Sequence, residues 1–337
     1  MKKESEILRE MSDAQKQFSK DSRIKSCYHY DNDNCGDKII QAHSLQRNGV
    51  LSLVESDVNG NQKVLCFKNP TVNGFGQYIG LTPIGKKNAS TFFGFCSVHD
   101  KGVFQPIEDQ EIDISSDEHC FLLIYRGAAK EYHQKIEELK GFKENDRFNS
   151  PGMEFEQTSR VIGTETAIRE AEDVKKILNE ILKNRDFSKL DYLTQTMNYC
   201  IPIACSATLT PKHYLSDELF NHSEDHNDKY EPIFLTVIPR ENKTHILYSC
   251  LPEHKKAQKF IDELKALNEQ TFQAVTSSLL IGNVHNTFLS PQLFGNLTEE
   301  EQTTIVEAIE LTDKVGVMIH RFYHIGINLF DKKNEKK

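Results

Sequence analysis

Apolar and polar positions fall into blocks whose period changes several times along the chain. Residues 3–19 are mostly polar, with Ile7, Met11 and Phe18 as the sizeable apolar positions, which predicts a surface helix. A loop rich in Asn, Asp and Gly follows (CYHYDNDNCGD), bracketed by Cys27 and Cys35 and leading into Ile39 and Ile40. The runs 49–55 and 62–67 are β-prone and flank Asn59-Gly60, a strong hairpin signal. Residues 69–90, punctuated by Gly74, Gly76, Gly80, Pro83 and Gly85, read as loop. The segment TFFGFCSVHDKGVF comes next; then 119–125 (HCFLLIY) reads as a buried strand and 127–141 as a helix.

Periodicity breaks at 141–165, where Gly141, Asn149-Ser150-Pro151-Gly152 and many charges predict a boundary. Ile168, Ala171, Val174, Leu178, Ile181 and Leu182 then share one face of an amphipathic helix. Residues 200–209, 232–239 and 244–251 read as strands, with a polar loop over 213–232. Helices are expected over about 254–275 and 298–324, the second opened by Thr298 and Glu301 in capping-box spacing. The last residues, DKKNEKK, read as a charged tail. The expected division is an N-terminal helix (1–19), a module (20–110), a strand-helix connector (111–165) and a mixed α+β domain (166–330).

Composition narrows the class. Of 337 residues 38% are hydrophobic, with 20 Phe and 11 Tyr, enough for packed cores. No apolar run reaches the roughly 18 residues of a membrane span. The charged N-terminus lacks the apolar stretch of a secretory signal, so the expectation is a cytoplasmic chain with no membrane partner. The net charge of −9 is unevenly placed. Residues 1–110 carry 14 Lys+Arg against 13 Asp+Glu, a net of +1, and the remainder carries −10. Phosphate contact is therefore expected in the first third. The acidic remainder is expected to be solvated or to serve a protein partner or self-association.

Eight cysteines without a secretory signal point to metal rather than to disulfides. Cys27, Cys35, Cys96 and His99 form two pairs of soft ligands, and tetrahedral Zn²⁺ is commonly held by two turns supplying two ligands each. Cys96-x-x-His99 has knuckle spacing; Cys27 to Cys35 is longer than usual, with His29 a spare candidate between them. The competing reading is reduced cysteines in a core, which the polar loop around Cys27 and Cys35 disfavours.

The order Cys…Cys, then Ala42-His43-Ser44-Leu45-Gln46, then a hairpin, then TFFGFCSVHDKGVF, resembles the HNH, or ββα-metal, nucleases built on a treble-clef zinc scaffold. The resemblance covers about residues 24–108. It implies that His43 is the general base and that Cys27, Cys35, Cys96 and His99 hold a structural Zn²⁺. Asp100 falls on the catalytic-metal position, for Mg²⁺ or a similar ion. Thr91 stands where the family has Asn, with Asn88 and Ser90 nearby, and Ala42 stands where an acidic residue often precedes the base. Read without the resemblance, His43 is a packed histidine and Asp100 a helix cap. Arg47, Lys86 and Lys87 are the basic residues expected near phosphate, with solvated loop charge as the alternative.

Weaker candidates are His222, Asp225, His226 and Asp228 for a second metal, Cys200 and Cys205 as core residues, and His320 and His324 on one helical face. No Walker-type loop or dinucleotide fingerprint is present. The expected fold is α+β, a zinc-stapled ββα-metal module followed by a larger mixed α/β domain. The expected function is metal-dependent hydrolysis of nucleic acid, DNA ahead of RNA, with anti-phage defence as an analogy. The alternatives are a catalytically degenerate zinc scaffold that binds nucleic acid or protein, and a toxin restrained by a partner on the acidic domain.

Overall fold

This computed structural model describes residues 13, 17, 19–73, 76–144, 154–221, 229–282, 286–313, 322 and 324–336. Its elements run β1 (Ile39–His43), α1 (Val50–Val54), β2 (Ser56–Val58), β3 (Asn61–Asn73), β4 (Gly76–Ile84), β5 (Thr91–Cys96), α2 (Ser97–Glu108), α3 (Asp117–Glu144) and α4 (Glu154–Asn184). They continue with β6 (Asp191–Met197), β7 (Ile203–Leu209), β8 (Ile233–Arg240), β9 (Lys243–Cys250), α5 (Lys255–Lys265), α6 (Glu269–Gly282), β10 (Thr287–Leu289), α7 (Pro291–Asn296) and α8 (Glu299–Asp313). The fold is mixed α+β with antiparallel sheets. β1 pairs with β5, and a larger sheet has the order β2-β3-β10-β7-β8-β9-β6, with β4 on the other side of β3. Among the described residues no helix is long and apolar enough to cross a membrane.

The larger sheet is covered on both faces, so its central strands read as continuous apolar runs. On one face Cys205, Leu235, Val237, Ile246 and Tyr248 pack with Phe260 and Ile261 of α5 and Phe272 and Leu279 of α6. On the other, Ala204, Phe234, Leu247 and Phe288 meet Phe121 and Leu122 of α3 and Leu178 of α4, and the same core runs on to Tyr28, Phe95 and Phe104. Gly127 lets α3 lie close on β7, because a Cβ there would stand 2.8 Å from Ser206 Oγ.

The Asn59-Gly60 hairpin forms as expected, with φ of 54° and 78° joining β2 to β3. The capping box also forms: Thr298 Oγ1 accepts from Glu301 N–H at 3.1 Å, and Glu301 Oε2 accepts from Thr298 N–H at 2.9 Å. The strands expected at 200–209, 232–239 and 244–251 are β7, β8 and β9, and the amphipathic face at Val174, Leu178 and Ile181 lies buried in α4.

Several expectations are corrected. The run 49–55 contains a helical turn, α1, which buries Val50, Leu51 and Val54. Residues 69–90 are largely β3 and β4, a long hairpin whose backbone pairing overrides the glycine content. The run 119–125 is helix: Ser116 Oγ accepts from His119 N–H at 3.3 Å, and Asp117 and Glu118 sit favourably in the first turn. Residues 120–125 are apolar without a break because 119–129 of α3 are buried on every side. The helix expected over 254–275 is two, parted at Asn268, whose side chain accepts from Thr271 N–H at 3.0 Å and caps α6. The terminal residues are not a free tail: Lys336 N–H donates to Cys200 O at 2.8 Å and its Nζ to Leu53 O at 2.7 Å, at the C-terminal end of α1.

The expected division between 20–110 and 166–330 has no counterpart in the sheet. Leu65 and Cys66 of β3 pair with Leu289 and Phe288 of β10, so one sheet takes strands from both segments. Most of the N-terminal helix, residues 145–153 of the connector, the candidates at 222–228 and His320 lie outside the described residues.

Candidate metal centre and the adjoining pocket

Strand β5 delivers Cys96 to the start of α2, where Cys96 Sγ accepts from His99 N–H at 3.3 Å as the helix N-cap. The same turn points His99 Nδ1 back at the sulfurs. Its distances are 3.5 Å to Cys27, 3.6 Å to Cys35 and 3.3 Å to Cys96. All four ligand atoms lie within 4.8 Å of one another. A tetrahedron with Zn–S near 2.3 Å and Zn–N near 2.0–2.1 Å has S···N edges of about 3.5–3.6 Å, so the donor set and its spacing fit such an ion. The four residues form a cluster that could hold a metal ion such as zinc.

Electrostatics at the cluster act differently on the three thiols. Burial pushes Cys96 up, but backbone N–H groups of His99, Gly36 and Val98 outweigh it and hold the thiol below its ordinary value. Burial raises Cys27 and pushes Cys35 up to about 12, so a metal entering here would displace their protons. Gly36 permits the close approach: a Cβ would stand 3.0 Å from both Ser97 Oγ and Val98 Cγ2. His29 is not part of the cluster. Its ring stacks on His99 with centroids 3.8 Å apart, and its Nδ1 accepts from Asp31 N–H at 3.1 Å.

One strand away, His43 ends β1 directly opposite Thr91 of β5. Its Nδ1 donates to Ala89 O at 3.0 Å, which leaves the lone pair on Nε2. Burial, with help from Arg47 and Arg126, holds His43 below its usual value against the opposing pull of the Ala89 carbonyl. Ser90 adopts φ of 56° at this point, a left-handed conformation that costs a non-glycine residue of order 1–3 kcal/mol. Ser90 O accepts from Ser44 N–H at 2.9 Å, and Ser90 Oγ stands 3.4 Å from His43 Nδ1. The strained residue thus ties down both His43 and the residue after it.

His43 lines an open pocket of about 570 Å³ together with Gln46, Arg47, Asp100, Lys101, Glu108 and Arg126. Asp100 is set there by the helix that carries His99. Its Oδ1 is buried with no protein partner, and burial raises its pKa against the influence of Arg126. Arg126 is 4% exposed, lies with its guanidinium 3.9 Å from the Phe104 ring centroid and pairs with Glu108, while its Nε finds no partner. Compared with protein-family models, with curated proteins and with solved structures, the chain matches none.

The residues expected from the sequence therefore separate into groups. The four metal candidates come together; His43, Asp100 and Arg47 share the pocket. Lys86 does not face it freely, since its Nζ is held by Glu55 at 2.7 Å and Ser52 at 2.9 Å, and Lys87 is exposed. Thr91 Oγ1 donates to Asn88 O, so neither side chain orients His43; the Ala89 carbonyl does. Cys200 and Cys205 are buried as expected. Arg126 and Glu108 escaped sequence reasoning. The one available signal was an arginine inside an apolar run, which a strand reading of 119–125 leaves just outside the element.

Proposed function

We propose that the chain is a metal-dependent phosphodiesterase of the ββα-metal type, with a structural zinc at Cys27, Cys35, Cys96 and His99. The observation that carries this reading is the joint presence, in one pocket beside the metal cluster, of a histidine with a free Nε2 and a carboxylate with an orphaned oxygen. The arrangement β1, β5, α2, with the last two cluster residues at the start of α2, supports the treble-clef comparison.

The chemistry follows from the side chains. Nε2 of His43 takes the proton of an attacking water, and the Nδ1–H···O=C bond to Ala89 stabilises the ring as it becomes cationic. Asp100 would hold a divalent ion such as Mg²⁺ through its orphaned oxygen. When bound, such an ion would supply charge stabilisation to the phosphate and the leaving oxygen. Arg126 and Arg47 supply N–H donors to the phosphodiester, and burial over Phe104 keeps the Arg126 fork oriented. Nucleic acid is the substrate class, DNA ahead of RNA.

A degenerate, non-catalytic zinc scaffold is the second reading. It is favoured by Ala42, which offers no ligand beside His43, and by Glu108, whose charge is already matched by Arg126. Cleavage assays on single- and double-stranded DNA and on RNA with Mg²⁺, Mn²⁺ or Ni²⁺ separate the two. The nuclease reading requires cutting by the wild type and a loss of about 10²–10⁴-fold in His43→Ala at unchanged zinc content. Wild-type protein that binds nucleic acid and cuts none of these leaves the scaffold.

A further inference from the structure

Arg126 and Glu108 form an ion pair in the lining of the pocket that holds His43 and Asp100, and the two partners are not alike. Arg126 is fixed. Its side chain is almost wholly buried, and its guanidinium packs on the ring of Phe104, itself wholly buried. Glu108 can leave. Its side chain is 42% exposed, and it is the last residue of α2, where a carboxylate meets the negative end of the helix dipole. Among the described residues its carboxylate is held by one contact, from Arg126 Nη1 to Glu108 Oε1, short of the two-point geometry that makes arginine–carboxylate pairs strong.

The guanidinium therefore already carries an oxyanion, and that oxyanion is the exchangeable part. Charge in the pocket decides when another can enter. Arg47, Lys101 and Arg126 stand against Asp100, Glu108 and Asp109, so three cations meet three carboxylates and an added anion gains no net attraction. With Glu108 turned out, the cations are in excess by one. We propose that Arg126 is a phosphate subsite, occupied by Glu108 in the free protein, and that a substrate phosphate enters by exchanging for the Glu108 carboxylate. Phosphate suits the exchange because its oxygens accept two N–H bonds of a guanidinium at once, where Glu108 takes one. On the phosphodiester reading of this pocket, on which this rests, Glu108 sets how tightly the phosphate is held.

Calorimetric titration of the full chain with inorganic phosphate, without added Mg²⁺, tests the exchange apart from cleavage. Glu108→Gln keeps the shape and an oxygen for Arg126 but drops the charge, and should tighten phosphate binding about 3–10-fold. Arg126→Met should weaken it about 10-fold or more. The gain from Glu108→Gln should vanish in the Arg126→Met background, the coupling expected of residues in contact. Zinc content and melting check each fold, and Arg126→Gln replaces Arg126→Met if that variant fails to fold. Asp109→Asn, a charge change in the same lining, should shift binding by less than about twofold. The proposal is overturned if Glu108→Gln binds millimolar phosphate no better than the wild type, if the gain persists without Arg126, or if Asp109→Asn matches Glu108→Gln. A chain that shows the expected pattern but cuts no nucleic acid keeps the subsite and loses the phosphodiesterase reading. One that cuts, while Glu108→Gln binds phosphate no better, loses the exchange alone.

Discussion

Replacing Cys96 by serine tests the cluster of Cys27, Cys35, Cys96 and His99 as a metal centre. The change keeps a side-chain oxygen in place to accept from His99 N–H, so the N-cap of α2 survives and the soft ligand alone is removed. Structural zinc sites contribute about 10–16 kcal/mol in small zinc domains; divided over four ligands, one thiolate is worth about 2.5–4 kcal/mol, or roughly 10²–10³ in zinc affinity. A domain stable by about 5–15 kcal/mol would lose a large share of that margin. Cys96 is also fully buried beside Phe95, so the empty site would leave polar groups of Cys27, Cys35 and His99 in poor surroundings. The assay pairs elemental analysis of protein purified without added zinc with thermal melting, and uses Cys205→Ala as control, a buried cysteine outside the cluster. Cys96→Ser should lose its zinc and melt well below the wild type, whereas Cys205→Ala should keep full zinc. Unchanged zinc content in Cys96→Ser, or a wild type that carries none, refutes the reasoning.

The remaining predictions concern the same region. Because burial and two arginines depress His43, cleavage should stay flat through neutral pH and fall only on the acid side of its usual 6.5; Arg47→Ala should move that limb upward in a pH–rate profile. Burial lowers His133, 1% exposed, against the opposing pull of the Ala129 and Ser26 carbonyls, so the fold takes up this proton at a lower pH than the unfolded chain, which does so near pH 6.5. Stability should therefore be complete above that pH and fall by up to about 1.4 kcal/mol per pH unit below it, until His133 itself charges; urea midpoints in wild type and His133→Gln check this, and equal slopes would contradict it. Gly36→Ala should lower zinc affinity in a chelator competition, since its Cβ would press on Ser97 and Val98 at 3.0 Å. Arg126→Met should raise KM for nucleic acid while leaving zinc content unchanged, since Arg126 is no part of the cluster.

What was legible in the sequence was local. The metal cluster could be read because two polar turns announce their ligands by residue type and spacing, and the Asn59-Gly60 turn and the Thr298–Glu301 box depend on near neighbours alone. The orientation of His43 could not be read, because it is set by a backbone carbonyl at Ala89 and a left-handed Ser90, neither of which has a residue signature. The segment 119–125 was misread because full burial erases the helical period, leaving β-prone residues with no polar face to betray the helix. Once that segment is helix, Arg126 falls on a buried turn over Phe104 and enters the pocket with Glu108, which no spacing along the chain reveals.

The boundary error has the same root and bears on the proposed chemistry. Residues between β1 and β5 do more than join them, since β3 leaves this stretch to pair with β10 in the large sheet. Asn286, just before β10, returns the connection: its Nδ2 donates to Ser44 Oγ at 2.9 Å and also to Ser206 O of β7. Gln46 reaches Ile107 O with its Nε2, while Arg240 of β8 contacts its Oε1. The residues flanking His43 are thus held by β8 and by the residue before β10, 194 and 242 positions away in sequence. Arg126, the buried cation of the same pocket, comes from α3, which also packs on β7 and β8. A histidine base is useful only if its free nitrogen is held within hydrogen-bond reach of the water it must deprotonate. In this chain that rigidity comes from the body of the protein as much as from the metal cluster, so pocket and sheet are one functional unit.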